Sequence, residues 1–227
     1  MAGTRLEGVR VAVLDVNETL SDMAPMRDRF EQVGAPAHLA ATWFAGVLRD
    51  GFALTAVGAP ASFARLGADG LRRLLDPSSL DRSVDDAVEH VMAGFMSLDV
   101  HPDVGPGLEA LADKGIRVVT LTNGSAAVGR SLLERAGLDQ RVEAFLSVDD
   151  TGFWKPAPAA YRHALDHCGV GADEAVLVAV HPWDLDGAHR AGLRTAYVDR
   201  DGAPYPESFS PPDVVVAGLD GLAATLT

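Results

Sequence analysis

Short runs of apolar residues, each followed directly by polar residues, recur along the chain. The first run, residues 9–14, is rich in valine and leads into the polar segment 15–19. Apolar runs of this length are typical of strands that are buried on both faces, as in a parallel sheet. The same pattern predicts further strands at residues 116–121, 143–148, 175–180 and 195–198, and a last short one at 214–217.

Segments with helical spacing separate most of these strands. The pattern predicts helices over residues 108–114, 125–136 and 157–168, and a glycine follows each of them. Strands that alternate with helices of this length indicate βαβ units with right-handed crossovers. The sequence therefore predicts an α/β fold with a parallel sheet and helices on both faces.

Residues 21–98 interrupt this alternation. They contain no convincing strand, but several apolar positions have helical spacing, for example Leu39, Trp43 and Val47. We expect this segment, called the helical insertion below, to form an all-helical cap domain over residues 21–98. Residues 1–20 and 99–227 would then form the α/β core domain.

Composition narrows the range of partners. The 227 residues include 19 Lys and Arg against 32 Asp and Glu, which gives a formal net charge of −13. Such a charge repels phosphate backbones, and no basic patch offsets it, so we expect no nucleic-acid partner. The apolar runs are too short to span a membrane. The single cysteine, Cys168, leaves no internal disulfide and fits a reducing compartment, so we expect a cytoplasmic protein with no membrane partner.

Polar side chains follow the strand ends. Asp15 and Thr19 follow the first strand, Thr122 follows the second, Lys155 comes after the third and Asp184 after the fourth. Because ligands bind outside the carboxyl ends of parallel strands, we expect these segments to converge on one site. Two carboxylates, one ammonium and small hydroxyls make a site that can perform nucleophilic displacement.

These residues belong to four motifs, which are DVNETL at 15–20, LTNGS at 121–125, KPAPAAY at 155–161 and HPWDLDGA at 181–188. In this order they resemble the haloacid dehalogenase (HAD) superfamily. The resemblance implies a Rossmann-like parallel-sheet core and places the helical insertion where the family carries its cap. It also implies a hydrolase.

Within that superfamily the chain is most similar to the L-2-haloacid dehalogenases (type II). Most phosphatase members carry a second Asp two residues after the nucleophile, as acid to the leaving alcohol, whereas this chain has Asn17, which cannot exchange a proton at neutral pH. The phosphatases also tend to show paired acids after the fourth strand to hold Mg²⁺. Here Trp183 and Asp184 resemble the Trp-Asp of the dehalogenases, as does the spacing of Lys155 and Tyr161.

The resemblance implies a mechanism that requires no metal or other cofactor. Asp15 attacks the halogen-bearing carbon of a short 2-haloacid, halide leaves, and water hydrolyses the resulting aspartyl ester to release a 2-hydroxyacid. Lys155 keeps Asp15 ionised, and Asp184 positions Lys155 and orients or activates the water. Thr19, Thr122 and the loop amides near Asn123 hold the substrate carboxylate or the developing oxyanion.

The expected site therefore has two sets of residues. The catalytic set is Asp15, Thr19, Lys155 and Asp184. The substrate-contacting set is Asn17, Phe44, Thr122, Asn123, Tyr161, His181 and Trp183.

Several positions depart from the family pattern and leave alternatives open. Ala45 stands where the dehalogenases carry a cap Arg, with Arg49 one turn further along a helix. Ala179 and His181 replace a Ser and an Asn of the fourth motif, and His181 would supply a pH-dependent donor to halide. The alternatives are a Mg²⁺-dependent phosphatase and a catalytically weak member that binds a small acid or a protein partner. A homodimer is also implied by the resemblance.

Overall fold

A computed structural model describes residues 5–227, and a parallel sheet forms its centre. Its strands are β1 (Val11–Leu14), β2 (Arg117–Thr122), β3 (Ala144–Ser147), β4 (Ala175–Ala179), β5 (Arg194–Val198) and β6 (Val214–Val216). Their order in the sheet is β3-β2-β1-β4-β5-β6, and every neighbouring pair is parallel. The predicted Rossmann-like α/β fold is confirmed, with each strand within two residues of its predicted bounds.

The strand order runs outward from β1 in both directions, because β2 lies on one side of it and β4 on the other. Successive crossovers therefore leave toward opposite faces, and a crevice opens at the carboxyl ends of β1 and β4. Asp15 follows β1 directly, so this crevice is where the predicted site residues have to meet.

Helices cover the sheet on both faces. The helices of the described residues are α1 (Met26–Glu31), α2 (Leu39–Ala56), α3 (Phe63–Leu74), α4 (Val84–Met96), α5 (Val104–Asp113), α6 (Ala126–Arg135), α7 (Pro158–Cys168) and α8 (Pro182–Arg190). Of these, α5 to α8 pack on the strands, and α1 to α4 pack mainly on one another. In the described part of the chain, no helix is both long and apolar enough to cross a bilayer.

One predicted boundary was wrong. The α5 helix begins at Val104, four residues before the predicted start, which lay directly after Gly107. Pro106 lies in the first turn, where the backbone N–H groups have no partner within the helix, so the proline costs no hydrogen bond. Position 107, inside the helix, requires glycine because a Cβ there would come within 2.6–2.8 Å of Leu219.

The helical insertion contributes α1 to α4, and its two ends lie side by side. Ser21 and Val100 form an antiparallel bridge, and the N–H of Asp22 donates to the carbonyl of Asp99 at 2.8 Å. The chain thus leaves and re-enters the sheet layer at one place. The division into a cap at 21–98 and a core remains a prediction.

Successive side chains of β1 point to opposite faces of the sheet, and they belong to two apolar clusters, one on each face. Ala12 and Leu14 pack on one face, and Val11 and Val13 belong to the cluster on the other. That second cluster continues into the helical insertion through aromatic side chains, which are Phe30, Trp43, Phe44, Phe63 and Phe95. The insertion and one face of the sheet therefore share a continuous apolar core.

Trp154 joins the helical insertion to the loop that carries Lys155. Its indole N–H donates to the carbonyl of Ala61 at 3.1 Å, and its backbone N–H donates to the Thr55 hydroxyl at 3.2 Å. Its ring lies directly on Gly51 of α2 and stacks on Phe63 with ring centroids 6.1 Å apart. The residue before Lys155 is therefore held by the insertion.

We predict opposite effects for two glycines of α2. In Gly51→Ala, the new methyl group would overlap the Trp154 ring, so we expect a loss of about 1–3 kcal/mol in the free energy of unfolding. Gly46→Ala is the matched control, because a Cβ there meets nothing within 4 Å and alanine favours a helix interior by about 0.5–1 kcal/mol. Urea unfolding of both variants measures this, and equal stabilities would contradict the packing of Gly51 on Trp154.

Candidate active site

A fully buried lysine lies between two carboxylates at the carboxyl end of the sheet. Lys155 Nζ donates to Asp15 Oδ1 at 2.8 Å and to Asp184 Oδ2 at 2.6 Å. The Lys155 side chain has no exposed surface, and those of Asp15 and Asp184 are 5% and 0% exposed. Burial of one charge without a partner would cost several kcal/mol, so each of the three depends on its neighbours.

Three different elements bring these charges together. Asp15 follows β1, Lys155 lies in the loop before α7, and Asp184 is in the first turn of α8. The loop position is fixed by Asn123, whose amide accepts from the backbone N–H of Lys155 at 2.8 Å and donates to its carbonyl at 3.2 Å. The Lys155 side chain therefore projects from a backbone that is held on both sides.

The pKa values follow from this burial and charge. Burial alone would raise the pKa of Asp15, but the Lys155 ammonium and the His181 ring outweigh it and hold the pKa well below its ordinary range. Burial would lower the pKa of Lys155, yet Asp15 and Asp184 raise it. Burial raises the pKa of Asp184, with Lys155 opposing and Asp15 adding to the rise. Asp15 is thus an ionised carboxylate, and Asp184 is the readier proton acceptor.

Thr19 and His181 both lie within hydrogen-bond distance of Asp15 Oδ2, the carboxylate oxygen that Lys155 does not contact. The Thr19 hydroxyl donates to Asp15 Oδ2 at 2.7 Å and accepts from the backbone N–H of Val180 at 3.1 Å. His181 Nδ1 lies 3.1 Å from the same oxygen. The sequence predicts that Thr19 holds the substrate carboxylate or the developing oxyanion, and in the structure its hydroxyl proton points at Asp15 Oδ2.

Glu18 completes the surroundings of His181 and was missed by the sequence reasoning. His181 Nε2 lies 2.8 Å from Glu18 Oε2, so each ring nitrogen faces a carboxylate. Burial would lower the pKa of His181, but hydrogen bonds to Asp15 and Glu18 and their charges raise it to about 9. Glu18 also has a φ of 62°, a left-handed conformation that costs a residue other than glycine about 1 kcal/mol or more.

Two residues predicted to contact substrate are hydrogen-bonded to other residues of the site. Tyr161 is fully buried, and its hydroxyl lies 2.7 Å from Asp184 Oδ1 and 3.0 Å from the Asp184 carbonyl. The Asn123 side chain is bound to the backbone of Lys155, as described above. Both side chains therefore help to position Asp184 and Lys155, and their contact with substrate stays a prediction.

Asn17 and Thr122 lie beside a small cavity of about 60 Å³ between the core and the helical insertion. Phe63 and Phe95 line its other side. The Thr122 hydroxyl accepts from the backbone N–H of Gly124 at 3.0 Å, which fixes the loop after β2. A second and separate cavity, of about 520 Å³, is lined by Glu18 and His181 among other residues.

Aromatic rings from α2 and α8 cover His181. The Phe44 ring stacks on His181 with centroids 6.5 Å apart, and the Trp183 ring lies 5.0 Å away. Ala45 is exposed, and Arg49 is 70% exposed and pairs with Asp50 at 2.8 Å. Two aromatic residues of α2 therefore meet the site, Phe44 on His181 and Phe52 on Trp183 with ring centroids 4.9 Å apart, whereas Arg49 pairs with Asp50 at the surface.

Among the described residues, no three His, Cys, Asp or Glu side chains converge as a metal site would require. The space between Asp15 and Asp184 is filled by Lys155 Nζ. The arrangement offers an ionised carboxylate at the strand end, a buried ammonium against it and a second carboxylate behind, which suits nucleophilic displacement.

We predict that Tyr161→Phe lowers the free energy of unfolding by about 1.5–3 kcal/mol, because the buried Asp184 carboxylate loses a donor. Tyr205→Phe is the matched control, since its hydroxyl donates only to the Ser210 carbonyl and the side chain is part-exposed. Chemical unfolding measures both. A Tyr161 variant as stable as the Tyr205 variant would contradict the positioning role.

We predict a pH-dependent stability from His181. Because its pKa in the folded state, about 9, lies above the usual 6.5, its contribution is fully present below pH 6.5 and is lost as the pH rises through 9. The shift corresponds to at most about 3 kcal/mol. Unfolding curves between pH 6 and 10 measure this loss, and His181→Asn is expected to flatten it. An equal slope in wild type and variant would contradict the assignment.

The chain is similar in sequence and in structure to several known proteins. A family model described as haloacid dehalogenase-like hydrolase matches residues 9–192. The chain is 31% identical over 209 residues to (S)-2-haloacid dehalogenase 4A of Burkholderia cepacia, covering 91% of this chain and 90% of that protein. It is 32% identical over 179 residues to a phosphoglycolate phosphatase of Cupriavidus necator, covering 75% and 78%. A solved structure of a dehalogenase with an intermediate complex matches with a TM-score of 0.90 at 29% identity, covering 97% of this chain and 98% of its own.

Proposed function

The chain belongs to the haloacid dehalogenase-like hydrolases, and we propose that it hydrolyses short 2-haloacids to 2-hydroxyacids and halide through an ester of Asp15. The observation that carries the proposal is the buried Lys155 ammonium, which contacts both Asp15 and Asp184. It keeps Asp15 ionised as a nucleophile and supplies positive charge without a metal. The similarity to (S)-2-haloacid dehalogenase 4A supports the substrate class.

In the first step, a carboxylate oxygen of Asp15 attacks carbon 2 of the haloacid. The new C–O bond forms as the C–halogen bond breaks with inversion, and the electron pair leaves with the halide. Halide departs without a proton, so no acid is needed beside the nucleophile. Asn17 fits that requirement, because an amide cannot donate a proton at neutral pH.

In the second step, water attacks Cγ of the Asp15 ester. Asp184 takes one proton from the water and returns it to the alkoxide of the hydroxyacid as the ester C–O bond breaks. The regenerated carboxylic acid of Asp15 releases the other proton. The raised pKa of Asp184 supports its role as acceptor, and Tyr161 and Asn123 act by positioning Asp184 and Lys155.

The cavity next to Asn17 and Thr122 supports a small substrate. About 60 Å³ accommodates only a few heavy atoms, and Phe63 and Phe95 give one side of it an apolar wall. We therefore expect two- and three-carbon acids to be preferred. The rings of Phe44 and Trp183 do not line this cavity but pack on His181 beside Asp15.

We further propose a cytoplasmic location, a helical cap at residues 21–98 and a homodimer. The buried free thiol of Cys168 supports a reducing compartment, and the net charge of −13 argues against nucleic acid as a partner. The dimer follows from the resemblance to the type II dehalogenases.

Halide release tests the proposed reaction. Purified protein is incubated with chloroacetate, bromoacetate, fluoroacetate and L-2-chloropropionate in the presence of EDTA, and free halide is measured. We expect release from at least one acid, and we expect Asp15→Asn to lower it by roughly 10⁴-fold or more, as removal of a nucleophile does in other covalent hydrolases. Glu7→Gln, a change at an exposed residue outside the four motifs, serves as the control.

Two outcomes would overturn the proposal. No halide from any of the four acids would exclude the simple dehalogenase, and hydrolysis of phosphate esters that requires Mg²⁺ would establish the phosphatase instead. Binding of small acids without turnover would favour the catalytically weak alternative.

A further inference from the structure

We propose that His181 is an oxyanion donor for hydrolysis of the aspartyl ester and that Glu18 is the positioning residue that holds it in this role. The inference deepens the proposed function at the same site and rests on it. It concerns a side chain, Glu18, that the sequence motifs gave no reason to single out.

The hydrogen bonds on Asp15 distinguish its two oxygens. Each carboxylate oxygen has about two lone-pair sites. Oδ2 is surrounded by two donors, the Thr19 hydroxyl at 2.7 Å and His181 Nδ1 at 3.1 Å, whereas Oδ1 has one, the Lys155 ammonium at 2.8 Å. Among the described residues, which begin at residue 5, a second donor reaches Oδ2 and none reaches Oδ1, so Oδ1 keeps a free lone pair. Oδ1 is therefore the attacking oxygen, and Oδ2 remains as the carbonyl oxygen of the ester.

This assignment fixes where charge develops in the second step. When water adds to Cγ, the electron pair of the Cγ–Oδ2 π bond moves onto Oδ2. The Thr19 hydroxyl and the His181 N–H already lie at 2.7 and 3.1 Å from that atom, which is the distance range of oxyanion donors in other hydrolases. As the intermediate collapses, the Cγ–Oδ1 bond breaks and Oδ1 leaves with the hydroxyacid.

Glu18 determines whether His181 can donate. A neutral imidazole carries one proton, and a proton on Nε2 would leave Nδ1 as an acceptor facing the acceptor Oδ2. Glu18 Oε2 at 2.8 Å from Nε2 takes one N–H, so a ring that is protonated on both nitrogens also directs an N–H at Asp15. Glu18 thereby fixes both the charge and the orientation of His181.

The charged groups around His181 come from several elements. Asp15 and Glu18 contact it directly, and Lys155 and Asp184 lie beyond Asp15. The other titratable groups that line the cavity beside it are Asp22, His101, Tyr197, Arg200 and Asp201. Of these, Arg200 pairs with Asp103 at 3.0 Å, and α2 presents the apolar Phe44. The carboxylates in hydrogen-bond contact with the ring are thus Asp15 and Glu18.

The strained backbone conformation of Glu18 indicates that this position requires its side chain. A φ of 62° suits glycine and strains any larger residue. Its N–H donates to the Ser21 hydroxyl at 3.2 Å, and its carbonyl lies 3.2 Å from His101 Nε2, so the turn holds this conformation. Glycine would adopt this backbone conformation without strain, but it has no carboxylate to pair with the His181 ring.

Single-turnover kinetics with bromoacetate test the inference, because bromide release reports the first step and glycolate release the second. We expect Glu18→Gln and His181→Ala to slow glycolate release by roughly 10²–10³-fold, the usual effect of losing one oxyanion donor. Bromide release should stay within about tenfold, and mass spectrometry should show the ester of Asp15 accumulating. Glu18→Gly should share the defect although it relieves the backbone.

Two further variants test whether the charge of His181 is needed in addition to its N–H group, and whether loss of any exposed carboxylate slows the reaction. His181→Asn keeps a neutral N–H donor, so we expect it to recover part of the hydrolysis rate lost in His181→Ala and to lose the pH dependence near 9. Glu109→Gln makes the same change as Glu18→Gln at an exposed position of α5 and should match the wild type.

Titration of the His181 ring by NMR requires no turnover. We expect a midpoint near 9 in the wild type and a fall toward 6.5 in Glu18→Gln. Equal midpoints would overturn the role of Glu18, and unslowed ester hydrolysis in both Glu18 variants would overturn the inference while leaving the dehalogenase intact. No bromide from the wild type would instead overturn the proposed function and this role with it.

Discussion

The structure depends on a line of alternating charges that runs through the carboxyl end of the sheet. In order, the groups are Asp184, Lys155, Asp15, His181 and Glu18. Successive members lie 2.6, 2.8, 3.1 and 2.8 Å apart. Each buried charge depends on its charged neighbours, since removal of one partner from a buried pair costs about 3–5 kcal/mol. Asp15 at the centre has a cation on each oxygen, and a further carboxylate holds each cation.

Neutral side chains keep this line in place. Asn123 fixes the backbone of Lys155, Tyr161 holds the far side of Asp184, and Thr19 ties Asp15 to the end of β4 through Val180. These side chains are neutral, and each of their hydrogen bonds satisfies a polar atom that would otherwise be buried without a partner. Asn123 and Tyr161 therefore hold Lys155 and Asp184 in position, and Thr19 holds Asp15 by the oxygen on which charge develops.

The helical insertion is part of the same arrangement. Trp154, adjacent to Lys155, is bonded to Thr55 and Ala61 and lies on Gly51, while Phe44 stacks on His181. The apolar cluster that joins the insertion to the sheet removes water from around the charges. Removal of water strengthens their mutual attraction and makes an unpaired charge more costly.

The sequence by itself determined the parallel sheet, the positions of its strands and the set of segments that meet at one edge, because these follow from local periodicity and from polar residues placed directly after apolar runs. It identified Asp15, Lys155 and Asp184 by motif. It did not reveal that Tyr161 and Asn123 are occupied by other site residues, nor that Glu18 faces His181. Those pairings join segments up to 163 positions apart, and the register of β1 against β4 and the start of α8 bring them together. Only the tertiary structure decides them, because a hydrogen bond depends on distance and direction in space, which no local pattern along the chain encodes.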